Sequence, residues 1–387
     1  MTRKKILWLC SWYPGKTEPF NGDFIQRHAR AAAIFNDIHV IHAIEDGSGK
    51  INKTTVEVSR NEGLVEEIIY ISKKNSVLGR MTAHYKWLFM MRQAIKNYIR
   101  DNGKPDLVHV NVPMKAGVFA LWLKRKYGIP YVVTEHWGIY NDVELLNYST
   151  RSKTFKHYTR QIFSKAVKFI SVSRYLAEGV SRLVVQKEYE VIPNTVNADL
   201  FFYQENKTPA FRFIHVSNMV ALKNTEGILR AFKSLQEKFP AVELVLVGDT
   251  DPAIRNYADQ LGLNRSTVFF RGEVPYKRVA DEMQRSNCFV LFSNIENSPC
   301  VIGEAFCCGL PVIATKVGGI PELVNERNSI LIPAKDEKEL AMAMEEMIAG
   351  YAVYDRKKIA EDAGRKFSYN VIGQQFEKIY ESVISKS

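Results

Sequence analysis

Apolar residues along the chain follow two patterns, short continuous runs and longer stretches in which they recur every three or four positions. The first pattern is typical of strands buried on both faces, the second of amphipathic helices, and their alternation predicts βα units around parallel sheets. In the first half the predicted strands are 5–11, 38–43, 107–111, 131–135, 169–172 and 189–192, with an added hairpin of 55–60 and 67–72. The predicted helices of this half are 23–35, 81–100, 116–127 and 174–183.

A second series of the same kind begins after a polar segment, 193–209, that carries a proline at each end. Its predicted strands are 211–216, 242–247, 268–271, 288–292, 311–314 and 329–332, and its predicted helices are 225–239, 253–261, 276–285, 301–308 and 337–348. We therefore expect an α/β protein of two doubly wound, Rossmann-like domains facing each other across a cleft. The expected domains are 1–200, completed by a last helix at 369–387, and 201–368. Ligands of such sheets bind at the carboxyl ends of the strands, so the loops there are the first places to look for chemistry.

Charge is distributed unevenly between the halves. Residues 1–200 hold 30 Lys and Arg against 18 Asp and Glu, whereas residues 201–387 hold 23 against 24. A basic half favours an anionic partner: nucleic acid, a membrane surface or an anionic substrate. No nucleic-acid recognition motif is found, so that partner is not expected. The basic residues Lys73, Lys74 and 80–100, interleaved with aromatic residues, fit an anionic membrane surface, and a solvated basic face is the alternative.

The cysteines and the amino terminus bear on the compartment. Five cysteines without a CxxC pair favour buried, reduced thiols, and their spacing offers no zinc site. The first residues lack the long apolar core of a signal peptide, and no apolar run is long enough to span a bilayer. We expect a cytoplasmic protein.

The densest chemical signal is the segment from Glu296 to Glu304, between a predicted strand and a helix at 301–308. Ser298 is a good N-cap candidate, Pro299 suits the first helical turn, and the helix start at Cys300 and Val301 could bind an anion. Glu296 and Glu304 could accept hydrogen bonds from sugar hydroxyls, although isolated glutamates at such positions are more often a solvated loop acid and a helix-dipole partner.

This segment and its continuation to Glu322 resemble the pattern of glycosyltransferase family 4. Weaker resemblances follow in order along most of the chain, at 6–11, 106–109, 171–173, 191–194 and 216–232. The resemblance implies a GT-B fold and a retaining enzyme that uses a nucleotide-activated sugar. It implies no metal and no other cofactor, because lysine and helix dipoles take the place of the cation.

Residue by residue, the resemblance implies that Glu296 contacts the donor sugar, Glu304 the nucleotide ribose and Lys223 the diphosphate. A lysine before a helix is physically apt where a leaving diphosphate develops charge. The family usually shows Gly-Arg where this chain has Ser217 and Asn218, and Asn218 carries no charge. Arg271 and Gly272 are candidates for contacts with the base.

On the N-terminal side, the resemblance places Gly22 and Asp23 in a loop that borders donor and acceptor, and matches His136 to a histidine that reaches the transferred sugar. A plain strand–helix turn and a buried core histidine are the respective alternatives. His28 and His109 are weaker candidates for the acceptor side.

Two further motifs are discounted. Asp249-Thr250-Asp251 has the DxD spacing of a metal site but follows a strand where the family pattern expects a turn. Residues 47–50 lack the spacing of a phosphate-binding loop.

The sequence thus predicts a hexosyltransferase-type enzyme that moves a sugar from a nucleoside diphosphate to a glycan or lipid-linked acceptor, in the synthesis of bacterial surface polysaccharide or lipopolysaccharide. Two alternatives stay open. One is a non-catalytic binding or scaffold protein of the same fold, suggested by Asn218, and the other is a nucleotide-sugar hydrolase or epimerase.

Overall fold

The computed structural model describes residues 3–72, 76–141, 147–206, 208–248, 251–263 and 265–385, without the side chains of Val77, Leu78 and Arg80. Lys73, Lys74, the Arg80 side chain, Asp249 and Thr250, which enter the interpretations above, therefore lie outside the described residues. The chain divides into two compact units. The N-terminal unit is Met1–Thr195 with Tyr369–Ser387, and the C-terminal unit is Val196–Ser368.

The N-terminal unit begins with strands and helices in near alternation. Its elements up to residue 195 are β1 (Lys5–Cys10), α1 (Asp23–Ala33), β2 (Asp37–Asp46), β3 (Thr55–Asn61), β4 (Leu64–Ser72), α2 (Val77–Asn102), β5 (Leu107–Asn111), α3 (Gly117–Tyr127), β6 (Tyr131–Glu135), α4 (Lys153–Lys165), β7 (Lys168–Ser171), α5 (Arg174–Leu183) and β8 (Tyr189–Val191). The sheet order is β3-β4-β2-β1-β5-β6-β7-β8. Only the hairpin strand β3 is antiparallel to its neighbour.

The C-terminal unit repeats the scheme. Its elements are β9 (Arg212–Val216), α6 (Thr225–Lys238), β10 (Glu243–Val247), α7 (Pro252–Gln260), β11 (Val268–Phe270), α8 (Tyr276–Gln284), β12 (Cys288–Leu291), α9 (Cys300–Cys307), β13 (Val312–Thr315), β14 (Ser329–Ile332), α10 (Glu337–Gly350) and α11 (Arg356–Phe367). Its sheet is parallel, in the order β11-β10-β9-β12-β13-β14.

The chain then returns to the N-terminal unit in α12 (Tyr369–Ile384), which packs against α1. A Cβ on Gly373 would lie 2.2 Å from the backbone oxygen of Ala31, so the two helices approach too closely there for any side chain. Tyr380 of α12 reaches the sheet, where its hydroxyl lies 2.7 Å from Nδ1 of His109 in β5.

The central strands of each sheet are buried on both faces. Along β1, Leu7 and Leu9 belong to one apolar cluster, whereas Ile6 and Trp8 belong to the cluster on the opposite face. The strands of the C-terminal unit divide in the same way between two clusters. This double burial explains why the strands appear in the sequence as continuous apolar runs, and it confirms the predicted pair of doubly wound α/β domains.

Two helices, α4 and α11, were not predicted. Each buries only three residues: Thr159, Ile162 and Phe163 in α4, and Ile359, Ala363 and Phe367 in α11. So narrow an apolar stripe leaves little periodicity to detect beside the basic residues of both segments.

The spacing of apolar residues in α2 also misleads. Met81 and Tyr85 share a helical spacing with the buried Ile95, but they are 54% and 66% exposed, whereas Ala83, Trp87 and Met91 are buried. Apolar residues surround this part of the helix, so periodicity alone cannot choose the buried face. No helix in the described part of the chain is long and apolar enough to cross a membrane.

Candidate functional site

The central feature of the C-terminal unit is an ion pair between Lys223 and Glu296. Lys223 ends a short 3-10 turn directly before α6, and Glu296 lies in the loop after β12. The lysine Nζ lies 2.6 Å from Oε1 of the glutamate, and the two side chains are 24% and 10% exposed. The two loops are joined next to this pair, because the backbone N–H of Asn294 donates to the carbonyl of Leu222 at 2.8 Å.

Two further hydrogen bonds hold Glu296 in place. The Ser293 hydroxyl donates to the same Oε1 at 2.7 Å, and the N–H of Gly319 donates to the Glu296 carbonyl at 3.0 Å. Gly318 has φ +53°, and a Cβ there would lie only 1.8 Å from the Glu296 carbonyl oxygen. The two glycines after β13 therefore allow the backbone to approach the Glu296 loop as closely as it does.

Glu304 lies in the second turn of α9 and is buried. It accepts a hydrogen bond from the hydroxyl of Tyr276, the first residue of α8. The helix begins at Cys300, one residue before the predicted start, and its N-cap is Pro299, one residue after the predicted Ser298. Pro299 adopts φ −68° and ψ 118°, and its side chain, which has no acceptor, does not cap the helix.

The segment after β9 is organised by a buried histidine. His215 has Nδ1 2.8 Å from the Val290 carbonyl and Nε2 2.8 Å from the Ser217 hydroxyl. Burial lowers the pKa of His215 to about 4, so the ring is neutral at pH 7, with Nδ1 donating to the carbonyl and Nε2 accepting from Ser217. The Ser217 oxygen in turn accepts from the N–H of Met219 at 3.0 Å, which shapes the loop that carries the exposed Asn218.

Arg271 and Gly272 adjoin this loop through Gly248. The N–H of Gly248 donates to the Gly272 carbonyl at 2.8 Å, and a Cβ on Gly248 would lie 2.1 Å from the carbonyl oxygen of Ser217. The Arg271 side chain is already engaged, with Nε 3.1 Å from Glu282 and its guanidinium 5.2 Å from the Phe269 ring. The structure thus brings the Ser217 loop close to Gly272, and it pairs Lys223 with Glu296.

In the N-terminal unit, Gly22 is the N-cap of α1 with φ +79°, and Asp23 is the first helical residue. A Cβ on Gly22 would lie 2.8 Å from backbone atoms of Trp12 and Tyr13, so the loop after β1 folds tightly onto the helix start. Asp23 accepts from Arg27, one turn along the helix, at 3.1 Å.

His136 follows β6 and lies in a cluster of buried histidines. Its ring centroid is 5.4 Å from that of His28 and 5.0 Å from that of Phe24. Burial, followed by the neighbouring His28 and His109, holds the pKa of His136 well below its usual value. His28 and His109 are fully buried.

The residue before this histidine, Glu135, was not singled out in the sequence. It is fully buried, accepts from the N–H groups of His136 and Trp137 at 2.9 Å each, and accepts from the Tyr140 hydroxyl at 2.7 Å. Burial raises its pKa to about 7 in spite of these donors. Glu135 therefore shapes the loop that carries His136.

Comparison with known proteins decides the family. The model of glycosyl transferases group 1 matches residues 197–366, and that of glycosyltransferase family 4 matches residues 53–200. The chain belongs to these glycosyltransferases. It is 27% identical over 362 residues to TuaC of Bacillus subtilis (strain 168), a glycosyltransferase assigned provisionally to teichuronic acid biosynthesis, with 88% of each chain covered.

Solved structures of glycosyltransferases share the GT-B fold with this chain. Sucrose-phosphate synthase from Thermosynechococcus elongatus superposes with a TM-score of 0.78 at 20% identity, covering 99% of this chain and all of the other. Anabaena HepE in complex with UDP gives a TM-score of 0.71 at 20% identity, covering 98% of this chain and all of the other. The predicted GT-B fold is confirmed.

Within this glycosyltransferase, sequence reasoning missed the residues that hold the candidate site residues in place. Ser293, Tyr276 and Gly318 contact or approach Glu296 and Glu304, and His215 orients Ser217. Gly318 and its neighbour could have been singled out, because paired glycines after a strand are typical of close backbone approach. Ser293 and Tyr276 carried no signal, since single serines and tyrosines are common in loops and helix starts.

Proposed function

We propose that the protein is a retaining glycosyltransferase that takes a sugar from a nucleoside diphosphate sugar held by the C-terminal unit. The observation that carries the proposal is the Lys223–Glu296 pair, 2.6 Å apart in loops at the carboxyl ends of β9 and β12. Parallel sheets bind ligands at this edge. A cation and an oriented carboxylate are the groups that a diphosphate and a sugar hydroxyl require.

The donor would be held in two parts. Lys223 and the start of α9, with Ser298, Pro299, Cys300 and Val301, would face the diphosphate, because the positive end of a helix favours an anion. Glu304 would accept from the ribose, and the loops of Ser217, Asn218, Arg271 and Gly272 would border the nucleoside. The UDP complex of the structural neighbour HepE supports a nucleoside diphosphate donor.

In the proposed reaction the acceptor hydroxyl oxygen forms a bond to the anomeric carbon on the face from which the diphosphate departs. The bond between that carbon and the diphosphate oxygen breaks, and the acceptor proton passes to the departing diphosphate. Lys223 supplies the positive charge that a metal ion supplies in other enzymes, so we propose a metal-independent reaction. Glu296 accepts from both Lys223 and Ser293 at one oxygen, which suits a group that orients the sugar rather than a nucleophile.

For the acceptor side we propose the N-terminal unit, with His136 as the residue that reaches the transferred sugar and the Gly22–Asp23 loop beside it. The relative in teichuronic acid biosynthesis supports a role in polysaccharide synthesis. The basic first half and the exposed Met81 and Tyr85 of α2 support a cytoplasmic enzyme that associates with an anionic membrane surface.

A specific observation favours a second candidate, a non-catalytic binding protein of the same fold. Asn218 is exposed and uncharged where the family pattern has arginine, and Arg271 is engaged by Glu282. Turnover separates the two candidates, since both would bind the nucleotide. Hydrolysis of the donor without acceptor would instead indicate a nucleotide-sugar hydrolase.

The test is a thermal-shift panel with UDP, GDP, ADP and their sugar conjugates, followed by transfer assays with the donor that binds. We expect one nucleotide class to raise the melting temperature, and Lys223→Ala to lower kcat by about 10²- to 10³-fold, the usual cost of losing one charge-stabilising donor. NMR of the product should show the donor's anomeric configuration. The matched control is Lys238→Ala, which removes an exposed lysine of α6 that pairs with Glu345. Unchanged turnover in Lys223→Ala would contradict the site.

A further inference from the structure

A groove crosses the outside of the N-terminal unit between α2, α3 and α4. Its volume is about 880 Å³, and its floor is apolar and aromatic, with Trp87, Leu88, Val118, Leu121 and Trp122 among its lining residues. An exposed groove of this size and apolarity on a protein surface marks a binding site more often than packing.

The charge of the groove has one sign. Among the described residues, its lining includes Lys115, Lys124, Arg125 and Lys165 and no aspartate or glutamate. Lys124 donates to the Lys165 carbonyl at 2.7 Å, which keeps it at the groove wall, and Arg125 and Lys165 lie exposed at the rim. The ligand that such a groove fits is apolar along its length and anionic at a point.

The groove adjoins a second pocket, of about 600 Å³, at the carboxyl ends of β1 and β2. The two share His84, Trp87, Met114 and Lys115. The second pocket is more polar, with Glu18, Asn21, His42 and Glu45 among its lining residues, and Lys115 lies 3.3 Å from Glu45. The strand-end pocket therefore offers hydrogen-bond partners to the hydroxyl groups of a ligand, and the groove offers apolar contacts to an aliphatic chain.

Helix α2 borders the groove with an exposed apolar stripe. Met81, Tyr85 and Phe89 follow one another at single-turn spacing and are 54%, 66% and 65% exposed. Exposed side chains of this kind beside a basic groove fit contact with the surface of a bilayer, from which an amphiphile could enter.

We propose that the acceptor is a lipid phosphate, with its aliphatic chain in the groove, its phosphate against Lys115 between the two pockets, and its hydroxyl-bearing head in the strand-end pocket. This inference rests on the proposed function and names the class of its acceptor.

The test uses decyl phosphate below its micelle concentration as the probe, with binding followed by tryptophan fluorescence and calorimetry at 150 mM salt. We expect it to bind at least tenfold more tightly than either decyl maltoside, which lacks the phosphate, or glycerol phosphate, which lacks the chain. Leu121→Glu and Lys115→Glu should each weaken binding at least tenfold. The matched controls, Val353→Glu at an exposed site of the C-terminal unit and Arg182→Glu at the end of α5, should leave binding unchanged.

Several outcomes would overturn the inference. Equal binding of glycerol phosphate would reduce the groove to an anion site, and equal binding of decyl maltoside would reduce it to an apolar one. Unchanged binding in both groove variants would place the ligand elsewhere. Nucleotide thermal shifts on Leu121→Glu separate this inference from the proposed function: a preserved shift with no alkyl phosphate binding to the wild type refutes only the lipid acceptor, whereas no shift with any nucleotide in either protein refutes the donor site.

Discussion

The two units of this glycosyltransferase place polar groups at the carboxyl ends of parallel strands, but in different surroundings. In the C-terminal unit, Lys223 and Glu296 form a partly exposed ion pair between two neighbouring loops. In the N-terminal unit, Glu135, His109 and His136 are buried at or near strand ends. The C-terminal unit therefore has a charged pair near its surface, whereas the titratable groups of the N-terminal unit that lie at the corresponding edge are buried.

This difference has a consequence for stability. A partly exposed ion pair contributes little to the free energy of unfolding. A buried neutral histidine makes stability depend on pH, because the unfolded chain takes up a proton that the folded state refuses. Four of the buried histidines, His28, His42, His109 and His136, lie in the N-terminal unit, and His215 lies in the C-terminal unit.

The largest expected effect is a fall in the stability of the N-terminal unit in mild acid. Burial lowers the pKa of His28 and of His42 to about 4. Their stabilising contribution is complete above the unfolded pKa of about 6.5 and falls by about 3 kcal/mol each as the pH approaches 4. His109 and His136, whose pKa values are also well lowered, act in the same direction, whereas the C-terminal unit has only His215 of this kind among its described residues. Hydrogen exchange at pH 7, 5.5 and 4.5 should show amide protection falling first in the N-terminal unit.

Glu135 sharpens this test, because its protonation changes the stability of the N-terminal unit in the opposite direction. Its pKa is raised to about 7, so protonation stabilises the folded unit as the pH falls from about 7 to 4.5, by about 3 kcal/mol. Glu135→Gln removes this offset and should make the loss of protection in acid steeper. Simultaneous loss of protection in both units would contradict the difference in their buried groups.

The next effect in size concerns the backbone around Glu296. Gly318→Ala places a Cβ 1.8 Å from the Glu296 carbonyl at φ +53°, so we expect the free energy of unfolding to fall by about 3 kcal/mol. Gly128→Ala in the N-terminal unit is the matched control, with φ +72° and nothing within 4 Å, and should cost about 1 kcal/mol. Urea unfolding measures the free energy lost in each variant. Equal losses would mean that the Glu296 loop shifts to accommodate the added Cβ.

The smallest effect compares helix caps in the two units. The Ser173 hydroxyl accepts from the N–H of Leu176 at the start of α5, and Asp355 accepts from the N–H of Lys358 at the start of α11. Ser173→Ala and Asp355→Ala should each cost about 1 kcal/mol, and the costs should add, because the caps lie in separate units. Asp355→Asn keeps an acceptor and should restore most of the loss. If Asp355→Asn lowered the free energy of unfolding as much as Asp355→Ala, the hydrogen bond of the cap would contribute nothing.

Local chemistry explains which parts of the site could be predicted. The segment from Glu296 to Glu304 is continuous, so its strand, loop and helix could be placed within one residue, and only the N-cap was assigned wrongly. Less of the candidate site in the N-terminal unit could be predicted, because the contacts that define it join residues distant in the sequence. His109 meets Tyr380 of α12, and His28 lies 3.0 Å from the Pro193 carbonyl. No local pattern reports such pairs.

The sequence by itself determined the alternation of strands and helices, the two parallel sheets and the family, because apolar period and short motifs are local properties. Tertiary structure alone decided that Met81 and Tyr85 face outward, that Glu135 is desolvated, and that α2, α3 and α4 enclose a basic apolar groove. Exposure, pKa and cavity shape depend on neighbours brought together by folding. These properties can therefore be determined only from the folded structure.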